Sequence, residues 1–269
     1  AYRYTHSGGN NTFRIQGLTV SGTTISVNST EFDYPDESSG NFNLYSIRIA
    51  CDNKGGFVAS YLASNGYLYS RAGTISSAGA IAAGSQITIE SGFSGGYYHG
   101  LGMAYDKNSD RWVSFVRASN TTMYHGVISR DGTTATKVGY SSFVGSVTDG
   151  SFDAVYDEVR SQFLLVYKAT NSYLKAIVGT MNAAKTQLTA ASAVTLTTNV
   201  MDVTGSIAYD KKVGRAFWLY ANNTSDITSF IHIAISGTTP SVGITETLAT
   251  HKEQGGLFVG CNDRGLVLT

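Results

Sequence analysis

Four aspartates, Asp52, Asp106, Asp157 and Asp210, stand at almost equal intervals along this 269-residue chain. A regular set of carboxylates has two obvious chemical uses. Two of them in unlike surroundings can serve as acid and base in glycoside hydrolysis, and several together can hold a cation. Equivalence points elsewhere. Each aspartate ends a short apolar run and opens a polar stretch, as in Gly205–Tyr220 (GSIAYDKKVGRAFWLY) and Leu101–Phe115 (LGMAYDKNSDRWVSF). An aspartate in that place accepts hydrogen bonds from backbone amides two residues on, so all four are read as structural turn residues.

The surrounding pattern is a repeat. It recurs from Ser151 to Tyr167, more weakly from Ser46 to Tyr61, and again from Gly256 to the end, where Asn262 replaces the aspartate. The five anchors are spaced by 54, 51, 53 and 52 residues, close to one four-stranded propeller blade. Helical repeats of this length would show apolar residues at three-and-four spacing, which is absent. The third unit shows how one repeat divides into strands: Phe152–Tyr156, Phe163–Ala169, Tyr173–Thr180 and Leu188–Leu196. Valine, isoleucine, threonine and aromatics fill such runs, and Gly, Asn, Asp and Ser separate them.

The expected fold is all-β, a five-bladed β-propeller of four-stranded antiparallel blades. Its units fall at 46–96, 101–146, 151–200 and 205–250, with a last blade built from 256–269 together with 1–34. Residues 1–269 thus read as a single propeller domain, closed by both chain ends so that no sheet edge is left open. A stretch cut in phase from a longer repeat array would carry the same pattern. Cys51 and Cys261 share one repeat position, where the other units have Tyr105, Tyr156 and Tyr209. They read as buried thiols filling a core site, with an interblade disulfide as the sharper alternative.

The remaining candidates do not repeat. Glu90, Asp149, Asp153 and Asp202 lie near strand starts or ends, and Asp153 could face a central channel from an innermost strand. A five-bladed glycoside hydrolase would need several such acids converging. Histidines 6, 99, 125, 232 and 251 are scattered singly, and no phosphate loop, zinc helix or nucleophile elbow is present. No metal, cofactor or catalytic residue is expected. Binding has better material. The loops between second and third strands and between blades open on one face, and they carry Tyr4, His6, Tyr34, Phe93, Tyr97, Tyr98, His99 and His251 beside Asn and acidic residues. Phe143–Gly150 is expected to be one of these loops. Aromatic faces beside amides and carboxylates suit a sugar or a protein surface.

Charge narrows the partners. Nineteen basic side chains balance nineteen acidic ones, and only 14% of residues are charged, so neither nucleic acid nor an anionic membrane surface is an expected partner. No run of about eighteen apolar residues exists to insert into a membrane, and the first residues do not read as a signal peptide.

The Tyr-Asp turn at 105–106, 156–157 and 209–210, followed by strands such as Tyr173–Thr180 (YLKAIVGT), resembles a propeller repeat of tailed-bacteriophage virion proteins, found in tail fibres and appendages of marine and cyanobacterial phages. The likeness spans all five units and rests on scaffold residues; Cys51, Cys261 and Asn262 depart from it. It implies a non-enzymatic virion component for host attachment, whose partners would be a host cell-surface glycan or protein and other virion proteins, as a possible homo-oligomer. A free propeller lectin is the alternative, and a glycoside hydrolase stands behind it.

Overall fold

The computed structural model of the chain describes residues 2–5, 11–21, 24–33, 47–63, 66–93, 100–117, 121–198, 201–222, 227–249, 259–262 and 265–268. It begins with a three-stranded sheet, β1 (Tyr2–Thr5), β2 (Asn11–Ser21) and β3 (Thr24–Asp33), paired in that order. The first complete unit is β4 (Ile47–Cys51), β5 (Gly56–Leu62), β6 (Leu68–Ile75) and β7 (Ile81–Glu90). The second is β8 (Leu101–Asp106), β9 (Arg111–Arg117), β10 (Met123–Asp131) and β11 (Thr134–Val144). The third is β12 (Val147–Asp157), β13 (Gln162–Ala169), β14 (Leu174–Met181), β15 (Leu188–Ala190) and β16 (Val194–Thr197). The fourth is β17 (Met201–Asp210), β18 (Arg215–Asn222), β19 (Ile227–Ser236) and β20 (Thr239–Ala249), and the chain closes with the hairpin β21 (Val259–Asn262) and β22 (Gly265–Leu268). Every pairing is antiparallel between chain neighbours, apart from β14 with β16.

Burial follows position within a unit. The second strands are covered on both faces, so β5 (GFVASYL) is buried throughout and β13 (QFLLVYKA) nearly so, and both read as continuous apolar runs. Fourth strands such as β11 are only partly covered and accordingly mix polar with apolar residues. The core lies in seams between sheets, where each buried Val, Leu or Phe contributes roughly 1.5–3 kcal/mol. Leu62, Leu68, Trp112 and Ile128 join the first two units; Phe115, Phe143, Phe152 and Phe163 the second and third; Val166, Val178, Trp218 and Ile231 the third and fourth. Ile15 of β2 packs with Phe57, Tyr61 and Ile81 of the first unit.

Glycines let the sheets close up. A Cβ on Gly84 would lie 2.0 Å from the Thr133 carbonyl oxygen of the second unit, and one on Gly139 1.9 Å from that of Thr186 in the third. Gly17 of β2 meets the Gly79 carbonyl of the first unit in the same manner, at 2.1 Å. The inner strands lie side by side in the order β4, β8, β12, β17, β21.

Two strand expectations need correction. The anticipated strand Leu188–Leu196 is two pieces, because residues 191–193 span only Ile177 and Val178 of β14, and the one extra residue breaks the ladder as a bulge does. The anticipated loop Phe143–Gly150 is mostly strand: Phe143 and Val147 are buried at the seam between the second and third units, so the chain runs from β11 into β12 with only residues 145–146 between.

Candidate functional site

The repeated aspartates make nearly the same turn. Asp52 Oδ1 accepts from the Lys54 and Gly56 amides at 2.7 and 2.8 Å; Asp106 Oδ1 accepts from Asn108 and Ser109 at 2.9 and 3.2 Å. Asp157 Oδ1 accepts from Val159 and Arg160 at 2.9 and 3.1 Å, and Asp210 Oδ1 from Lys212 at 2.8 Å. All four carboxylates are buried. In three units the loop ends in the left-handed region, at Asp110 (φ 56°), Ser161 (φ 57°) and Gly214 (φ 63°). The first unit is one residue shorter and instead uses Asn53 (φ 58°) and Gly55 (φ 89°).

These turns surround the mouth of a cavity of about 950 Å³, walled by the inner strands of the four complete units. Its side wall is made of small residues, Ala50, Ala104, Ala154 and Ala208, which keep the passage wide. The mouth carries Asn53, Lys54, Lys107, Glu158 and Lys211, the one or two residues that follow each aspartate. Lys107 Nζ lies 2.5 Å from Glu158 Oε2, and Asn108 Nδ2 donates to Ser161 Oγ at 2.5 Å, so the second and third turns are tied together. Tyr105, Tyr156 and Tyr209 also line the space. The Tyr209 hydroxyl donates to Asp157 at 2.5 Å, and burial first, then that carboxylate, push its pKa up.

Deeper along the inner strands, Arg48 of β4 and Asp153 of β12 meet at 3.6 Å. They belong to the first and third units, which β8 separates, so the ion pair reaches past the second unit. Burial raises the Asp153 pKa, against the opposing pull of Arg48 and of the Ala154 and Ile207 amides. Asp153 therefore does face the axis, as its position suggested, but with a cation beside it.

Of the anticipated loop-face residues, Phe93 is corrected. It is 5% exposed and packs with Leu62, Leu68 and Leu101, while its amide bonds to the Gly66 carbonyl at 2.9 Å. Its ring is a core filler and offers no face to a ligand. Tyr34, Tyr97, Tyr98, His99, His6 and His251 lie outside the described residues, as do the side chains of Tyr4, Asp149, Asp202 and Cys261. Cys51 is a free, exposed thiol at the cavity, contrary to the expected buried site, because the inner strand ends there. Glu90 sits on β7, 3.5 Å from Lys137 of β11, away from the axis. His125 is a core residue: its Nε2 accepts the Leu188 amide at 2.9 Å across the seam, and burial lowers its pKa to about 4. No group of three potential metal ligands occurs among the described residues.

The lysines at the mouth and the Arg48–Asp153 pair escaped the reading of the sequence. One signal was available for the first: the residue after each repeated aspartate is polar in every unit, namely Asn53, Lys107, Glu158 and Lys211.

No protein-family model and no curated protein sequence matches the chain. Solved structures do resemble it. AofleA from Arthrobotrys oligospora aligns with a TM-score of 0.62 at 9% identity, over 99% of this chain and 74% of that one. A candidate 6-phosphogluconolactonase from Bacteroides uniformis gives 0.61 at 9%, over 99% and 76%. The lectin SapL1, in complex with alpha methyl fucoside, gives 0.52 at 9%, over 94% of both chains. The shared property is the fold, an all-β, propeller-like assembly of antiparallel sheets.

Proposed function

We propose that this chain is a five-bladed propeller module that binds carbohydrate without processing it. The observation that carries the reading is the axial cavity, whose rim of amide, ammonium and carboxylate groups over a small-residue wall suits a polyhydroxylated ligand. The fold-level likeness to a lectin holding a fucoside supports the same class of ligand. Against catalysis stands the state of the described acids near the axis. Asp153 is paired with Arg48 and Glu158 with Lys107, while the repeated aspartates are spent on their turns. Hydrolysis needs one acid held protonated and a second free to act on the sugar.

Closure of the ring is part of the proposal. β21 lies beside β17, and the N-terminal sheet lies against the first unit with the glycine–carbonyl contact that also joins the first unit to the second. The two chain ends then share the fifth blade. Deleting Ala1–Val20 should strip the first unit's outer seam and give aggregated protein; a soluble truncate with an unchanged thermal midpoint would overturn closure. The setting in a phage appendage is also proposed, and it rests on the resemblance of the Tyr-Asp repeat.

A glycan array probed with the whole chain tests the binding reading. Retention of at least one glycan class, recovered chemically unchanged after prolonged incubation, is expected. An array without any bound glycan would sink carbohydrate binding, and cleaved product would sink its non-catalytic half.

A further inference from the structure

Resting on the reading of a closed, carbohydrate-binding propeller, we propose that the axial cavity is blind, floored by the Arg48–Asp153 pair. It takes the free end of a glycan chain and rejects a stretch from the middle. Arg48, Gly102, Asp153 and Ser206 each stand four residues before a repeated aspartate, so they mark one level on β4, β8, β12 and β17. The described lining of the cavity ends one residue short of that level, at Met103 and Ala154. At the level itself Arg48 Nε meets Asp153 Oδ1 at 3.6 Å. Both partners are held in place. Arg48 Nη1 donates to the Ile47 carbonyl at 3.0 Å, and Asp153 accepts the Ala154 amide at 2.9 Å and the Ile207 amide of the fourth unit. Groups from the first, third and fourth units therefore meet beneath the cavity.

Gly102 gives Arg48 its path past the second unit. A Cβ there would lie 3.3 Å from the Ala154 nitrogen and 3.5 Å from the Asp153 carbonyl carbon, so a longer side chain would crowd the approach to Asp153. A glycan running through the axis would have to part the pair. That would leave Asp153, with its side chain only 14% exposed, without its cation, which is a costly state for a carboxylate. A chain end asks for no such change. At about 950 Å³ the cavity has room for a short oligosaccharide end, and the rest of the chain leaves by the mouth it entered.

The test is an array of printed oligosaccharides in which each short motif stands both at the free end and capped by one further sugar. Probed with the full chain, retained glycans should share their terminal residues, and a cap should weaken binding by about tenfold or more. The double variant Arg48→Ala with Asp153→Ala removes both charges together, so that neither is left alone, and a thermal melt reports its fold. It should bring capped glycans to within about threefold of uncapped ones. Motifs retained as well inside a chain as at its end overturn the blind cavity and leave sugar binding in place. A folded double variant that still rejects caps overturns the floor. If the variant does not fold, the wild-type comparison of capped and uncapped glycans decides alone. No glycan bound at all removes both readings together.

Discussion

Asp52 and Asp157 occupy the same place in their units and treat their first carboxylate oxygen alike, yet their second oxygens differ. Asp52 Oδ2 receives Arg130, which reaches back from the second unit and also lies over the Trp112 ring at 5.3 Å. Asp157 Oδ2 receives Arg160 from its own turn at 2.9 Å, and its link to the next unit is made at Oδ1, by Tyr209. Burial pushes the Asp52 pKa up, but the Lys54 and Gly56 amides and Arg130 outweigh it and hold the carboxyl below its ordinary range. The lesson is a division of labour. The turn needs only one oxygen, so the other lone pairs are free to become the polar part of a seam, and each unit solves that differently.

The largest effect should come from removing the shared group where it serves most partners. Asp157→Ala leaves two amides, Arg160 and Tyr209 without their acceptor and should cost about 3–5 kcal/mol in urea unfolding, against about 1–2 for Asp210→Ala. Equal losses would mean that the seam contributes nothing beyond the turn.

The seam between the second and third units sharpens the contrast, because a neutral imidazole does there what carboxylates do elsewhere. His125 accepts the Leu188 amide only while its Nε2 is unprotonated. Unfolded, it takes up a proton near pH 6.5; folded, only near pH 4. The unfolded state thus binds more protons in between, and stability that is complete above pH 6.5 is lost as pH falls towards 4, by up to about 3 kcal/mol. Asp52, with a lowered pKa, keeps its whole contribution above the ordinary carboxylate range and loses it as pH falls through that range towards its own lowered value. Unfolding midpoints at pH 7 and pH 5 should therefore differ in the wild type, and His125→Asn should flatten that difference. A wild type indifferent to this interval would count against the buried neutral histidine.

A smaller effect separates the two arginines. Arg130→Met keeps a stem against Trp112 but strands Asp52 and should cost about 2 kcal/mol; Arg160→Met, at a more exposed side chain, less than about 1. Thermal melts in matched buffer would rank them, and the reverse order would break the comparison.

Much of this was legible in the sequence, for a local reason. An aspartate bonding amides two to four residues on uses groups the chain places beside it, so the repeat of Tyr-Asp and a polar turn announces both the hairpin and the unit length. Seam bonds are another matter. Arg130 and Asp52 are 78 residues apart, and Arg130 looks like any polar residue at a strand end. Arg48 sits among Ile47, Ile49 and Ala50, where nothing local tells of a partner in the third unit. Phe93 misled because it follows a non-repeated strand end, and whether an aromatic there turns inward is decided by Leu62 and Leu101, which the chain supplies from elsewhere. The cavity was invisible for the opposite reason: its wall is alanine, which reads as ordinary packing.

The Arg48–Asp153 pair has a mechanical meaning. Forces between neighbouring sheets travel from seam to seam along the row of inner strands, but this contact is a chord, joining the first and third units past the second. An arc braced by a chord resists being opened or flattened, and a pull applied at the first unit is shared at once by the third.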